Sequence, residues 1–177
     1  CSGTINNLKT KDHQAIFPGL CKQEDGKILA IYVAGTDFES ADQSPYYCYS
    51  EDEGLNWGEA KPIFEKMTVN GNTLSASCKP VLLADNSIAA LGYGHERKNH
   101  DLSLHDYSIK YGSLPPCHNF ICYKKSASDK WTEAKVFKHN HPGLEISGQA
   151  ILDKNKNLHF FAPPFLLQAE KQRGIHF

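Results

Sequence analysis

Residues 50–57 read Ser50-Glu51-Asp52-Glu53-Gly54-Leu55-Asn56-Trp57. The spacing S-x-D-x-G-x-x-W predicts a tight hairpin turn. Gly54 tolerates the positive φ that such a turn needs. Ser50 and Asp52 have side chains short enough to bond the turn's own amides, and Trp57 is placed to pack the turn against its sheet. Working outward, Cys48-Tyr49 precede the turn and Glu59-Ala60-Lys61 follow it; 74 positions further on, without a gap, come Cys122-Tyr123, Trp131 and Glu133-Ala134-Lys135. In that second copy Lys124, Ser126 and Ser128 replace Ser50, Asp52 and Gly54. The tryptophan and its flanks persist while the turn residues have gone.

A second element occurs three times. Phe17-Pro18-Gly19-Leu20 leads through Asp25-Gly26 to Lys27-Ile28-Leu29-Ala30-Ile31-Tyr32; Lys79-Pro80-Val81-Leu82-Leu83 leads through Asp85-Asn86 to Ser87-Ile88-Ala89-Ala90-Leu91; Gln149-Ala150-Ile151-Leu152 leads through Asn155-Lys156-Asn157 to Leu158-His159-Phe160-Phe161. Each is a β-hairpin: two apolar runs about a D-G or N-type turn. The runs are almost continuously apolar, as expected of strands buried between neighbouring layers. Strand-rich repeats of roughly 40–50 residues are the mark of a β-propeller, and an insertion over residues 95–118 accounts for the longer spacing here. Blade starts are placed near residues 17, 77 and 148 and blade ends near 64 and 137, after a lead-in of residues 1–12; residues 13–177 are read as a partial propeller. No segment carries sustained helical periodicity.

With 40% hydrophobic and 22% charged residues the composition is that of a globular protein. A net charge of -1 implies no general attraction to nucleic acid or anionic membrane. No apolar run is long enough to span a membrane. About two and a half to three blades are present, too few to close a ring. The remaining blades are expected from a longer chain, or failing that from other subunits. Of the six cysteines, Cys48 and Cys122 hold equivalent places in the two copies and read as small buried strand residues, while Cys117 and Cys122 are near enough in sequence to close a small loop if oxidised. Cys1-Ser2-Gly3 reads either as a lipidated mature N-terminus or as an arbitrary start.

The Ser50–Trp57 turn and the P-x-L…D-G-x-[IL]-L-A hairpin resemble the sialidase superfamily, the BNR or Asp-box propellers, over about residues 13–165. The resemblance implies an all-β propeller, six-bladed in the family. Its true sialidases cleave terminal sialic acids with retention. They hold the substrate carboxylate with three arginines, and use an Asp acid/base and a Tyr nucleophile assisted by a Glu. Guanidinium groups suit that clamp because they bind a planar carboxylate bidentately. A neutral Tyr nucleophile avoids repelling the anionic substrate. This chain departs from the pattern where the arginines should be. Pro18 and Asp25 keep the spacing of the R-I-P motif, but Ile16 replaces its Arg, and Val33 and Gly35 stand where E-x-R is expected; Arg97 and Arg173 are the only arginines. The resemblance places the Asp-box on the outer turn, away from catalysis.

The loop Gly35–Asp42 is where the family carries its acid/base, and both Asp37 and Asp42 fall in range. Either would serve as general acid if partial burial raised its pKa. The insertion supplies Glu96, Arg97 and Tyr107 as substrate-binding candidates, with Tyr107 or Tyr111 a stacking group or nucleophile. Glu145 lies near the entry to the third hairpin, two residues from the position of the family's assisting Glu. His95, His100 and His105 are evenly spaced but match no zinc template, so neither metal nor cofactor is expected. His139-Asn140-His141-Pro142 reads as a loop. Two readings follow. The first is a glycosidase relative acting on a terminal sugar of a glycan or oligosaccharide, with classical sialidase activity disfavoured. The second is a non-catalytic propeller that binds glycan or protein. The resemblance implies an extracellular, periplasmic or cell-surface location for either. An axial surface without any ligand is a third, lesser possibility.

Overall fold

The turn at Ser50–Trp57 closes as its spacing predicts. In the computed structural model, which describes residues 14–125, 128, 130–137 and 144–162, the Ser50 hydroxyl accepts from the Gly54 amide at 2.8 Å and donates to Asp52 Oδ1 at 2.9 Å. Asp52 in turn accepts from the Asn56 amide at 2.8 Å, and the Trp57 indole donates to the Gly54 carbonyl at 3.1 Å. Gly54 has φ +89°. The Trp57 ring packs on a small core of Ala30, Tyr32, Ala34 and Cys48. Cys1, Ser126, the His139–Pro142 loop and Arg173 lie outside the described residues.

The three hairpin turns share one geometry. In each, the first residue's amide meets the carbonyl four residues on: Gln23 with Lys27 (2.8 Å), Leu83 with Ser87 (2.8 Å) and Asp153 with Asn157 (2.9 Å). The fourth residue of each turn is left-handed: Gly26 at φ 89°, Asn86 at 63° and Lys156 at 65°. Glycine and asparagine adopt that conformation at little cost, and lysine does not.

These turns organise two main sheets. Strands β1 (Gln14–Lys22), β2 (Ile28–Gly35), β3 (Ser44–Ser50) and β4 (Lys61–Pro62) form an antiparallel sheet in sequence order. Strands β5 (Thr68–Val69), β6 (Asn72–Leu82), β7 (Ile88–Arg97), β8 (Cys117–Lys124) and β9 (Lys135–Phe137) form the second, and β10 (Ile151–Leu152) with β11 (Leu158–His159) forms a third pair. The sheets stack face to face. Leu29, Ile31 and Tyr47 of the first meet Ala76, Cys78, Ala90 and Phe120 of the second. On its other face the second sheet packs Val81, Ala89 and Leu91 against Ile146 and Ala150. The described residues are nearly all β, with one short helix, as expected of part of a sialidase-like propeller.

Three sequence readings are corrected. The insertion contains a helix, α1 (Leu104–Tyr111), where no helix was expected. Eight residues are too few to show sustained periodicity, but the caps are explicit: the Ser103 hydroxyl accepts from the Asp106 amide, and Gly112 ends the helix at φ 73°. The insertion is also shorter than expected, because His95–Arg97 continue β7 and Cys117–His118 begin β8. Cys117 and Cys122 are both free thiols on that one strand. Five residues of extended chain hold them roughly 16 Å apart on opposite faces, so no bond joins them.

Gly92, at the centre of β7, has no room for a side chain: a Cβ there would stand 1.9 Å from the Ser77 carbonyl and 2.5 Å from Cys78 Cβ. Gly92→Ala is expected to cost at least about 3 kcal/mol in urea unfolding, since backbone rather than a flexible side chain must yield. Lys156→Gly should instead gain about 0.5–1 kcal/mol, the relief of left-handed strain less the glycine's larger unfolded-state entropy. A loss of stability in the second variant would contradict the turn geometry.

Candidate functional site

Strand β7 ends in His95-Glu96-Arg97, and all three are buried. Alternation sends Glu96 to the face that meets the first sheet and His95 and Arg97 to the opposite face. Polar groups taken out of water must find partners. Each of the three does so differently.

Glu96 accepts from Asn70 Nδ2 at 3.1 Å and Asn72 Nδ2 at 2.7 Å, and His118 Nε2 lies 2.8 Å from its Oε1. Burial pushes its carboxyl up, but His118 and the two amides outweigh it and the net shift is down. Arg97 donates from Nη2 to the carbonyls of Glu39 (3.3 Å) and Leu102. Its Nη1 is buried and has no partner among the described residues. Burial pulls the guanidinium down against the acids at Glu39 and Asp42. The Glu39 carbonyl also accepts from the Leu104 amide at 3.2 Å. Arg97 therefore binds the insertion to the first sheet's loop. Tyr107 sits on the helix so docked, its ring 4.5 Å from that of Tyr111.

His95 belongs to a third group. Its Nδ1 lies 3.0 Å from the Pro115 carbonyl and its Nε2 lies 2.6 Å from Glu145 Oε1. Cys117 is its cross-strand neighbour on the same face. Asn119 fixes Glu145 by bonding the residues on either side of it: its Nδ2 donates to the Leu144 carbonyl at 2.8 Å, and its Oδ1 accepts from the Ile146 amide at 2.9 Å. The Cys117 thiol is pushed well up, first by burial and then by the charge of Glu145. Burial and the same charge also raise the Tyr93 phenol, whose ring stands edge-on to His95 at 5.8 Å. Neither group is poised as a nucleophile.

The loop carboxylates differ from one another. Asp42 accepts from the Thr36 amide (3.1 Å), the Thr36 hydroxyl (3.0 Å) and the Ser40 hydroxyl (2.5 Å). Partial burial pushes Asp42 up, yet the Ser40 and Thr36 bonds prevail and the net shift is down. That is the wrong direction for a general acid. Asp37 is exposed; its Oδ1 accepts from Gln14 Nε2 at 2.9 Å and from the Phe38 amide at 2.7 Å. Beside it Phe38 and Phe17, 47% and 39% exposed, meet with ring centroids 6.1 Å apart. Phe17 sits in a bulge of β1 at φ 53°, and Lys79 Nζ holds that bulge by donating to the Phe17 (2.9 Å) and Pro18 (3.1 Å) carbonyls. A cavity of about 510 Å³ opens beside Asp42, lined also by Gln43, Tyr46, Phe64, Met67 and Thr73.

The structure thus gathers Asp37, Asp42, Arg97 and the helix bearing Tyr107 around one loop. Glu145 joins His95 behind them, and Glu96 faces the first sheet. Sequence reasoning missed Cys117, His118 and Asn119 as partners. For Cys117 and His118 the signal is the β7–β8 register, which pairs distant residues and is invisible in local spacing, and Asn119 reaches Leu144 and Ile146 through longer-range packing.

No protein-family model matches the sequence, and no curated protein matches it. Solved structures do. A protein of unknown function from Dyadobacter fermentans superposes with a TM-score of 0.61 at 15% identity, over 84% of this chain and 46% of its own. A Hadza microbial sialidase gives 0.60 at 14% identity, over 85% and 32%. A polysaccharide lyase of family PL25, an ulvan lyase, gives 0.55 at 11%, over 82% and 36%. The fold is sialidase-like. The chain spans about a third to just under half the length of these structures.

The folded pKa of Asp42 lies below its unfolded value. Its contribution to stability is therefore complete above the unfolded pKa of about 3.9 and is lost as pH falls through the folded one. Asp42→Asn should lower unfolding free energy by about 1 kcal/mol at neutral pH, and the difference should shrink in acid as pH falls through the folded pKa. Equal differences at neutral and acid pH would show that the carboxylate charge does not hold the loop.

Proposed function

We propose that the chain is part of a carbohydrate-active, sialidase-like propeller that acts on a terminal sugar of a glycan or oligosaccharide at the Asp37 end of β1. The observation that carries this reading is the exposed Asp37 carboxylate beside the exposed Phe17–Phe38 pair. A bulky residue at positive φ is strained, and such strain persists where surrounding structure enforces it, commonly at functional sites. Flat aromatic faces suit the apolar C–H face of a sugar ring, and a carboxyl at their edge can reach a glycosidic oxygen. The solved structures of similar fold include a sialidase and a polysaccharide lyase, which supports a carbohydrate ligand. An extracellular, periplasmic or cell-surface location fits that ligand. Asp37 is the acid in this reading, and Arg97, Tyr107 and Asp42 hold the surrounding loops.

One observation favours the alternative of binding without catalysis. Asp42, Glu96 and Glu145 are each occupied by hydrogen bonds within the fold. None of these three is then a free second carboxylate for Asp37, as in a lectin-like site.

The two readings separate on a panel of aryl glycosides, sialosides and uronides included, tested with the full chain. Asp37→Asn should cut kcat by about 100-fold or more on any substrate turned over, and Phe38→Ala should chiefly raise KM. Binding of an oligosaccharide that depends on Phe17 and Phe38, with no turnover, would establish the binding module. Turnover indifferent to Asp37→Asn would remove Asp37 from the mechanism.

A further inference from the structure

The cluster behind the loop has a chemistry that neither reading uses. His95, Cys117 and Glu145 each present one donor atom, and the three atoms lie within 4.8 Å of one another. Two of the side chains are almost fully buried, His95 at 3% and Glu145 at 5% exposure. Cys117 is only partly buried.

The arrangement is not that of a cysteine nucleophile. Such a site needs a histidine that takes the thiol proton through one ring nitrogen while a carboxylate orients it through the other. Here Nδ1 is committed to the Pro115 carbonyl, which only accepts, so Nδ1 carries a proton. Nε2 lies 2.6 Å from Glu145 Oε1, and the Cys117 thiol donates to the Leu144 carbonyl at 3.6 Å. All three donors converge on one point rather than forming a relay.

Convergence of this kind suits a cation. A histidine that donates Nδ1–H to a backbone carbonyl has its tautomer fixed and its Nε2 lone pair aimed, the usual outer support of a metal-bound imidazole. Asn119 gives Glu145 comparable support by holding Leu144 and Ile146. Binding would release to solvent the Cys117 thiol proton and the proton held between Nε2 and Glu145; the thiolate and the carboxylate would then neutralise a divalent ion, so no net charge would be buried. Nitrogen, sulfur and oxygen donors together select a borderline-soft metal over calcium or magnesium. Zinc bond lengths of about 2.0–2.3 Å place neighbouring donors roughly 3.2–3.7 Å apart. The present 2.6 Å contact between Nε2 and Oε1 would then open by about 1 Å or less.

We infer that His95, Cys117 and Glu145 form a binding site for one divalent ion of the zinc class. The ion bridges β7, β8 and the segment that leads to the third hairpin. Three protein ligands leave one position of a tetrahedron for water or a substrate oxygen. The inference stands independently of the carbohydrate reading.

Cobalt(II) titration of the chelator-stripped full chain tests it. Expected are one equivalent bound and a near-ultraviolet thiolate-to-cobalt charge-transfer band. Cys117→Ser should abolish that band and Glu145→Gln should weaken binding about 100-fold or more, while Cys21→Ser, on β1, leaves both unchanged. Zinc-edge X-ray absorption on the wild-type protein needs no variant. One sulfur with nitrogen or oxygen neighbours is expected, and a shell with no sulfur or with several overturns the site. Absence of stoichiometric cobalt or zinc binding to the folded protein overturns it equally, as does a charge-transfer band that survives Cys117→Ser.

Discussion

Burial of β7 on both faces is the constraint from which the rest of the structure follows. One face closes on the first sheet through Ile88 and Ala90, and the other closes on Ile146 and Ala150 through Ala89 and Leu91. A strand so enclosed reads as a continuous apolar run until its last three residues, His95-Glu96-Arg97, which are polar and equally buried. Water cannot satisfy them, so neighbouring segments must. Asn70, Asn72 and His118 close on Glu96; Pro115 and Glu145 close on His95; Glu39 and Leu102 close on Arg97. The polar end of one strand thereby gathers the blade-1 loop, the insertion and the start of the next hairpin at a single end of the sheets.

Two kinds of interaction hold this arrangement, and they differ in how visible they are in the sequence. The turns are local. Ser50, Asp52, Gly54 and Trp57 specify theirs within eight residues, and the structure forms the bonds that their spacing implies. The second copy shows what its decay costs. Trp131 keeps its packing, edge-on to Tyr47 at 5.7 Å, but its indole N–H is buried without an acceptor among the described residues. Gly54 supplies that acceptor in the first copy. The repeat in the sequence is thus a repeat of packing, with the turn's polar support lost from one member.

The polar end of β7 was legible only in part. His95, Glu96, Arg97 and Glu145 could be singled out as unusual polar residues near hairpins, but their partners are fixed by strand register and by long-range packing. Cys117 lies opposite His95 because β7 and β8 pair across the insertion, and no local pattern states that register. The helix α1 was overlooked for a different reason. It is stabilised by its caps, Ser103 and Gly112, and by docking at Glu39, rather than by an apolar stripe long enough to show a period. The signal was present as Ser103-x-x-Asp106 and Gly112, a start and a stop with eight residues between them.

The missing blade-1 arginines have a physical counterpart in the folded chain. Val33, which stands at the Glu of E-x-R, is fully buried, so a carboxylate there would be stranded in the core. At Gly35, a Cβ alone would approach Gln43 Cγ to 2.7 Å and Ser40 Oγ to 2.8 Å. The loop that Asp42 ties down therefore fills the space an arginine would need. An arginine at position 35 and this loop folded onto β2 exclude one another. What the first sheet presents instead is Asp37, held by Gln14, and the paired rings of Phe17 and Phe38. Such a surface gains most from the apolar face of a ring and little from a carboxylate. A ligand bound here would be discriminated by shape and stacking, with charge recognition left to groups beyond the first sheet.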